Sequence, residues 1–453
     1  MKAILGRVGK TCKITMQKLI FTMQLYGGNG LANHAAAGAY GFLLSIAPIL
    51  LLIGFIIITI FNSYPQAIDA IFDRIDALDV VIEQEWLENN LLAVTGSGIT
   101  GVVSILWIFW AGRIFVLAIQ RGLKIIFTGT KKRSAFKDTM ITFAVEITVL
   151  LLALLIIIGS QTSMYLIQTL NFFPESSLVN FFVSSAGNRI FLFGLLGLVA
   201  FCVYIFIPLH SPRKFSALQG ALFCALCYSA VNIVLQLILD STRYNLLYGA
   251  LGNLMIMLVN VYFFFMFLFL GAQLAYVIDT FDILFFIRMR QVRLKAAENP
   301  ADAKKRRSFD FNKKLFYSVQ GNLDKYLHHY KKDEIIFLQG DSGKDIFYII
   351  EGEAEVMIPC AQEESKGMII TADSFFGEMG YLLSEERSAT VKARTDASVL
   401  ALPPALFDAI LKYDANFDKE IMKHMSRRIK ISNEQINIMA NSAAQLQGDG
   451  ALR

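Results

Sequence analysis

The sequence predicts a multi-domain fold: an all-α polytopic membrane helix bundle of six spans, followed by a cytosolic β-roll with flanking helices. Three observations carry that reading. The 453 residues are 55% apolar and only 17% charged, a balance suited to a chain partly solvated by lipid. The apolar residues gather into six runs ending by Ile278, each long enough to cross roughly 30 Å of hydrocarbon. From about Lys313 the composition turns ordinary, with short apolar strands broken by glycine turns.

In chain order, residues 1–26 carry Lys2, Arg7, Lys10, Lys13 and Lys18 among apolar residues and no acid. That is a basic amphipathic segment, too polar to span, which is expected to lie at a membrane surface. The spans are expected at about Gly38–Phe61, Ile99–Ile119, Thr139–Gly159, Ile190–Leu209, Phe215–Leu239 and Leu254–Ile278. Pro48 lies inside the first and should kink it, which neighbouring helices tolerate. Cys224 and Cys227 form a CxxC within an apolar run; small buried side chains suit that setting better than a metal or redox pair.

The loops alternate in charge. Residues 62–98 hold seven acids against Arg74 alone, whereas 121–137 hold only bases. Arg213 and Lys214 follow the fourth span, and Arg288, Arg290, Arg293 and Lys295 follow the sixth. Positive charge collects on the cytoplasmic side, so both termini are expected there.

Polar residues inside spans are costly unless satisfied, and so mark places to look. Arg113 and Glu146 fall at similar depth on the second and third spans; they form either a structural ion pair or part of a substrate or ion site. Asn232, Gln236 and Asp240 share one face of the fifth span, and Asn253 and Asn260 one face of the sixth. They either line a central cavity or hydrogen-bond between helices. No cytosolic cluster of Asp, Glu or His has metal-binding spacing, and no nucleophile sits with a base. An enzyme is not expected.

Residues 286–312 read as a basic juxtamembrane linker whose run Lys304-Lys305-Arg306-Arg307 lacks aromatic stacking partners. Such a run meets anionic lipid headgroups more readily than nucleic acid. Beyond it, Glu334–Leu338, Asp345–Ile350 and Ala354–Ile358 read as strands, and Pro404–Tyr413 and Lys419–Met439 as helices. Between them lies FGEMGYLLSEERSATV, Phe376 to Val391. A Gly turn at Gly377 leads directly into Glu378, and Arg387 follows nine residues later, before Ser388 and Ala389. This order suits a ligand with one anionic phosphate and one sugar hydroxyl: backbone N–H groups and a guanidinium for the anion, a carboxylate for the hydroxyl.

The stretch resembles the phosphate-binding cassette of cyclic-nucleotide-binding domains, the family of catabolite activators, cyclic-nucleotide-dependent kinases and gated channels. The resemblance implies that Gly377 and Glu378 hold the ribose 2′-hydroxyl and Arg387 the cyclic phosphate. It places Ser388 and Ala389 around the same phosphate. HMSRRIKISNEQI resembles the long helix that follows the roll in catabolite activators, which puts Ser432 and Asn433 where the base is contacted; read bare, they are exposed helix residues. Ala35–Pro48 (AAAGAYGFLLSIAP), Gly220–Phe223 (GALF), Tyr248–Gly252 (YGALG) and Gly271–Ala275 (GAQLA) resemble the YihY/BrkB family of six-span bacterial inner-membrane proteins.

The domains are therefore expected at 1–285 (YihY/BrkB-like membrane domain), 286–312 (linker) and 313–445 (cyclic-nucleotide-binding domain). The function expected is a cyclic-nucleotide-regulated integral membrane protein of the bacterial inner membrane that transports a solute. The alternative is a receptor or envelope scaffold that senses the nucleotide without transport. The regulatory ligand is cyclic AMP or cyclic GMP, with no cofactor. Further partners are the bilayer with its anionic headgroups and a second copy of the chain; no nucleic-acid partner is expected.

Overall fold

The computed structural model describes residues 2–45, 113, 116–127, 140, 185–208, 210–238, 250–298, 315–317, 321–357, 368–413, 421–423 and 425–426. The chain divides into two compact units, Lys18–Asp279 and a second made of Met1–Gln17 with Thr280–Arg453.

The first unit is helical. Helix α1 (Lys2–Gly28) enters it, and Gly30, at φ 62°, turns the chain into α2 (31–45). Residues 116–126 form α3, Ser185–Phe206 α4, Lys214–Ile238 α5, and Ala250–Glu298 begins here as α6. Three windows among the described residues are long and apolar enough to cross a membrane: Arg189–Phe206, Lys214–Leu235 and Met255–Lys295. They fall on the expected fourth, fifth and sixth spans. Most of the expected first, second and third spans lies outside the described residues.

What lets these helices pack is small residues at the crossings. A Cβ on Gly220 would stand 2.4 Å from the Gly271 carbonyl oxygen, and one on Gly271 would stand 2.6 Å from that of Gly220. Helices α5 and α6 thus meet backbone to backbone, through the GALF and GAQLA stretches singled out in the sequence. The Tyr204 hydroxyl donates to the Leu268 carbonyl at 2.7 Å just beside this crossing, and Cys224 is buried against it. Cys224 and Cys227 are free thiols in an apolar setting, the packing role expected of them. Gly38 and Gly122 play the same part against rings, lying under Phe265 and Phe269.

Helix α6 differs from expectation. The sixth span was expected to end at Ile278, with a polar linker from 286, yet the helix runs unbroken for 49 residues to Glu298. Its sequence holds no proline until Asn299-Pro300, where the restriction on the residue before proline ends it. The apolar positions Phe281, Phe285, Phe286 and Met289 continue at helical spacing past the last span and are all buried. Basic residues among them masked that periodicity.

The second unit contains a β-roll of two four-stranded antiparallel sheets. Strands β1 (Leu327–Tyr330), β2 (Ile335–Phe337), β3 (Ile346–Glu351), β4 (Glu353–Met357), β5 (Met368–Thr371), β6 (Phe375–Phe376), β7 (Thr390–Ala393) and β8 (Ala397–Leu402) pair in the orders β1-β8-β3-β6 and β2-β7-β4-β5. The three strands read from sequence are present, each within a residue or so of its expected ends. Gly352 makes the β3–β4 turn at φ 91°, where a Cβ would strike the Asp396 carbonyl at 2.4 Å. Alternating side chains fill the space between the sheets with Phe347, Ile349, Phe376, Val391 and Val399.

Strand β3 does not alternate, because Ile346 through Ile350 are all buried. Its outer face is covered too: the Phe286 ring of α6 meets Tyr348 edge to face at 5.3 Å. The amino-terminal segment belongs to this unit through Gln17, whose side-chain amide donates to the Leu315 carbonyl at 2.6 Å.

Packing at the α5–α6 crossing predicts the effect of one added methyl. Gly220→Ala should destabilise the purified protein by about 1–3 kcal/mol, seen as a lower thermal midpoint in lipid nanodiscs. Gly194→Ala, with nothing within 4 Å of the new Cβ, should leave the midpoint unchanged or slightly raised.

Candidate functional site

The site grows out of the two-residue strand β6. Phe376 points into the roll core and stacks on Phe347 at 5.2 Å between centroids. Gly377 then takes φ 75°, a left-handed turn that a side chain would strain. Space forbids a side chain as well, since a Cβ would lie 2.8 Å from Nη1 of Arg387. Helix α7 (Glu378–Leu382) follows with Glu378 buried in its first turn.

The chain then loops out through exposed Leu383–Glu386 and returns at Arg387. Two backbone bonds pin that return: the Arg387 N–H donates to the Asp341 carbonyl at 3.0 Å, and the Gly340 N–H donates to the Arg387 carbonyl at 2.9 Å. The guanidinium is aimed inward. Nη1 donates to the Gly377 carbonyl at 2.6 Å and Nη2 to the Asp345 carbonyl at 2.7 Å. Its carbon sits 4.5 Å from the Phe337 ring centroid and 5.3 Å from that of Phe347, a cation–π platform.

Arg387 is only 4% exposed, and its Nε is buried with no hydrogen-bond partner. Burial lowers its pKa, opposed by the nearby carboxylates of Asp345, Asp341 and Glu378. A guanidinium nonetheless stays charged at neutral pH. Among the described residues it makes no ion pair. A buried cation whose direct hydrogen bonds go to neutral carbonyls is a costly arrangement, one that an anion can relieve.

Of the residues picked from sequence, Gly377, Glu378 and Arg387 come together. Ala389 is buried, and Ser388 beside Arg387 is exposed. Ser432 and Asn433 lie outside the described residues. So do Glu146 and Asp240, leaving Arg113 as a half-buried residue and the pairing with Glu146 as an expectation. Asn232 is half-buried on α5, which also carries Gln236, and Asn253 lies on α6. The side-chain amide of Asn260 donates to its own helix, to the Ile256 carbonyl at 3.2 Å, while its Oδ1 is buried without a partner.

The sequence reading missed the residues that orient Arg387. These are the Asp345 carbonyl, the two phenylalanines beneath it, and Gly343, whose Cβ would stand 3.5 Å from Nη2. Carbonyl partners leave no mark in side-chain pattern. Gly343 was legible as a turn, though not as a turn that clears room for a guanidinium.

Fold and site together define a membrane protein that carries a cyclic-nucleotide-binding domain. Residues 327–414 match the family description "Cyclic nucleotide-binding domain". Residues 22–283, more than half of the chain, match "Virulence factor BrkB", and the chain belongs to that family. The UPF0761 membrane protein of Glaesserella parasuis is 27% identical over 202 residues, 44% of this chain and 68% of that protein. The cAMP-activated global transcriptional regulator CRP of Salmonella typhimurium is 27% identical over 119 residues, 25% of this chain. The chain spans 56% of that regulator's length. Among solved structures, the catabolite activator protein of Thermus thermophilus aligns at 22% identity with a TM-score of 0.23. That alignment covers 26% of this chain and 56% of that one.

The Gly377 geometry predicts that Gly377→Ala weakens the roll locally by about 1–3 kcal/mol. Hydrogen exchange of the β3 amides Phe347–Ile349 should quicken about tenfold or more relative to wild type.

Proposed function

We propose that the β-roll binds a cyclic nucleotide, cyclic AMP or cyclic GMP, and that binding regulates the membrane domain. One observation carries the reading: Arg387, buried and charged, is held ready by two carbonyls and two rings, with a donor to spare and no ion-pair partner among the described residues. The cyclic phosphate supplies that anion, accepting from Nε and the remaining guanidinium hydrogens. Glu378 enters the same pocket from the first turn of α7 and accepts from the ribose 2′-hydroxyl, which selects ribose over deoxyribose. Ser388 and Ala389 border the phosphate, and Ser432 and Asn433 meet the base.

The output we propose is movement of a solute through the helical unit. Buried polar atoms without hydrogen-bond partners support it, namely Asn260 Oδ1 and the side-chain amide nitrogen of Gln273. Such atoms are costly inside a membrane and suit a polar path. Arg113 with Glu146, and the face carrying Asn232, Gln236 and Asp240, are the other candidates for its lining. The proposed setting is the bacterial inner membrane with both termini in the cytoplasm, where the nucleotide is made. Lys304–Arg307 would there rest on anionic headgroups.

Equilibrium titration of the full-length protein in nanodiscs with each nucleotide tests the site. Saturable binding is expected, and Arg387→Ala should weaken it about 100-fold or more, the loss of charge-assisted hydrogen bonds to the phosphate. Glu378→Gln should cost less, and the cost should shrink for the 2′-deoxy analogue. Failure of both nucleotides to bind wild-type protein would remove this reading.

A further inference from the structure

The end of helix α6 touches the nucleotide site's own strand, and the contact is built rather than incidental. Residues 281–293 present one face, Phe281, Phe285, Phe286, Met289, Arg290 and Arg293, all buried. Phe286 meets Tyr348 of β3 at 5.3 Å and Phe375 of β6 at 6.2 Å between centroids. Arg290 lies 5.6 Å over the Phe375 ring. One turn on, Arg293 is 6% exposed; its Nε donates to Asp373 Oδ1 at 2.7 Å and its Nη2 to the Ile350 carbonyl.

The partners on the roll are themselves fixed. Asp373 stands at φ 62°, a left-handed conformation in the turn leading to β6. Its N–H donates to the Ile349 carbonyl at 2.8 Å, and the Ile349 N–H donates to the Ser374 carbonyl at 3.1 Å. The Tyr348 hydroxyl donates to the same Asp373 oxygen at 2.9 Å. Burial, then the Asp373 charge and hydrogen bond, raise the Tyr348 pKa, so the phenol remains a donor at any physiological pH. A left-handed turn, a half-buried ion pair and a buried tyrosine converge on one carboxylate.

Strand β6 is two residues long, and its pleat sends them opposite ways. Phe375 faces α6, and Phe376 faces inward, stacked on Phe347 and Phe337. Those are the two rings on which Arg387 lies. The next residue, Gly377, supplies the carbonyl that holds Arg387 Nη1. Phe375, Phe376 and Gly377 are consecutive, so a shift of Phe375 would be passed to the ring stacked on the platform and to the carbonyl that holds Arg387.

We propose that Phe286, Arg290 and the Arg293–Asp373 pair are positioning residues for the nucleotide site, so that docking of 281–293 and nucleotide occupancy stabilise each other. This rests on the nucleotide reading of Arg387 and adds its regulation: the helix that carries the last membrane window also seats the cassette. By linkage, whatever docking contributes to nucleotide affinity, the nucleotide returns to docking. The direction is set by the geometry. The docked helix holds β6 where Arg387 is correctly aimed, so loosening it weakens binding.

The test uses the full-length protein in nanodiscs with cyclic AMP and cyclic GMP as probes. Asp373→Asn keeps the left-handed turn, which asparagine tolerates, and keeps an acceptor for Tyr348 while removing the charge opposite Arg293. The dissociation constant should rise about tenfold, within the range usual for coupled sites. In wild-type protein the nucleotide should slow hydrogen exchange across 281–293, and Arg387→Ala should abolish that slowing. If Asp373→Asn does not fold, the wild-type exchange comparison decides alone. Unchanged affinity in the folded variant, or exchange in 281–293 indifferent to bound nucleotide, overturns the coupling and leaves the site reading standing. Absence of saturable binding to wild type overturns both.

Discussion

One unbroken helix contributes to both compact units of this protein. Ala250–Glu298 is 49 residues, about 74 Å at 1.5 Å per residue, whereas one membrane crossing needs roughly 20 residues. The surplus has to find a use, and it does so by burying an apolar and basic face against the β-roll. The same helix meets α5 through Gly271 in the membrane-domain unit. No proline interrupts it between Ala250 and Glu298, so no kink of that origin breaks its hydrogen-bond ladder. Regulation of a membrane domain by a soluble module needs such an element, one whose position both parts can bias.

The two chemistries of the chain are kept distinct by burial. In the helical unit, glycine against glycine and glycine against phenylalanine allow close backbone approach where lipid offers no hydrophobic drive between helices. In the roll, aromatic rings between two sheets form a dry platform that carries a cation. Arg387 could not sit over Phe337 and Phe347 at so little exposure unless carbonyls and neighbouring carboxylates offset its desolvation. That balance leaves the guanidinium with two carbonyl partners and a buried Nε that has none, the feature on which the proposed phosphate site rests.

Much of this was legible in the sequence, and for identifiable reasons. Gly377, Glu378 and Arg387 are set by spacing around a turn, so their convergence could be read from their order together with the resemblance to a phosphate-binding cassette. The helix Pro404–Tyr413 carries its own start signal in Pro404, and the structure places it at those residues. The apolar runs marked α4, α5 and the membrane part of α6 by length. The docked end of α6 was not legible as such, because Arg288, Arg290, Arg293 and Lys295 gave it the look of a solvated linker. Only the buried set 281, 285, 286, 289, 290 and 293 shows the helical stripe beneath the charge. Asp373 also left no signal: an aspartate in a turn reads as a turn former, and nothing local says that its carboxylate meets an arginine 80 residues away.

The central claim is that nucleotide at Arg387 alters the membrane domain, and the most direct measurement is hydrogen exchange of that domain itself. Full-length protein in nanodiscs would be compared with and without saturating cyclic nucleotide over the helix ends at residues 210–214 and 250–255. A nucleotide-dependent change in exchange is expected at these positions, and it should disappear in Arg387→Ala. Identical exchange with the nucleotide demonstrably bound would contradict it, leaving a binding module that does not govern the helices it is joined to.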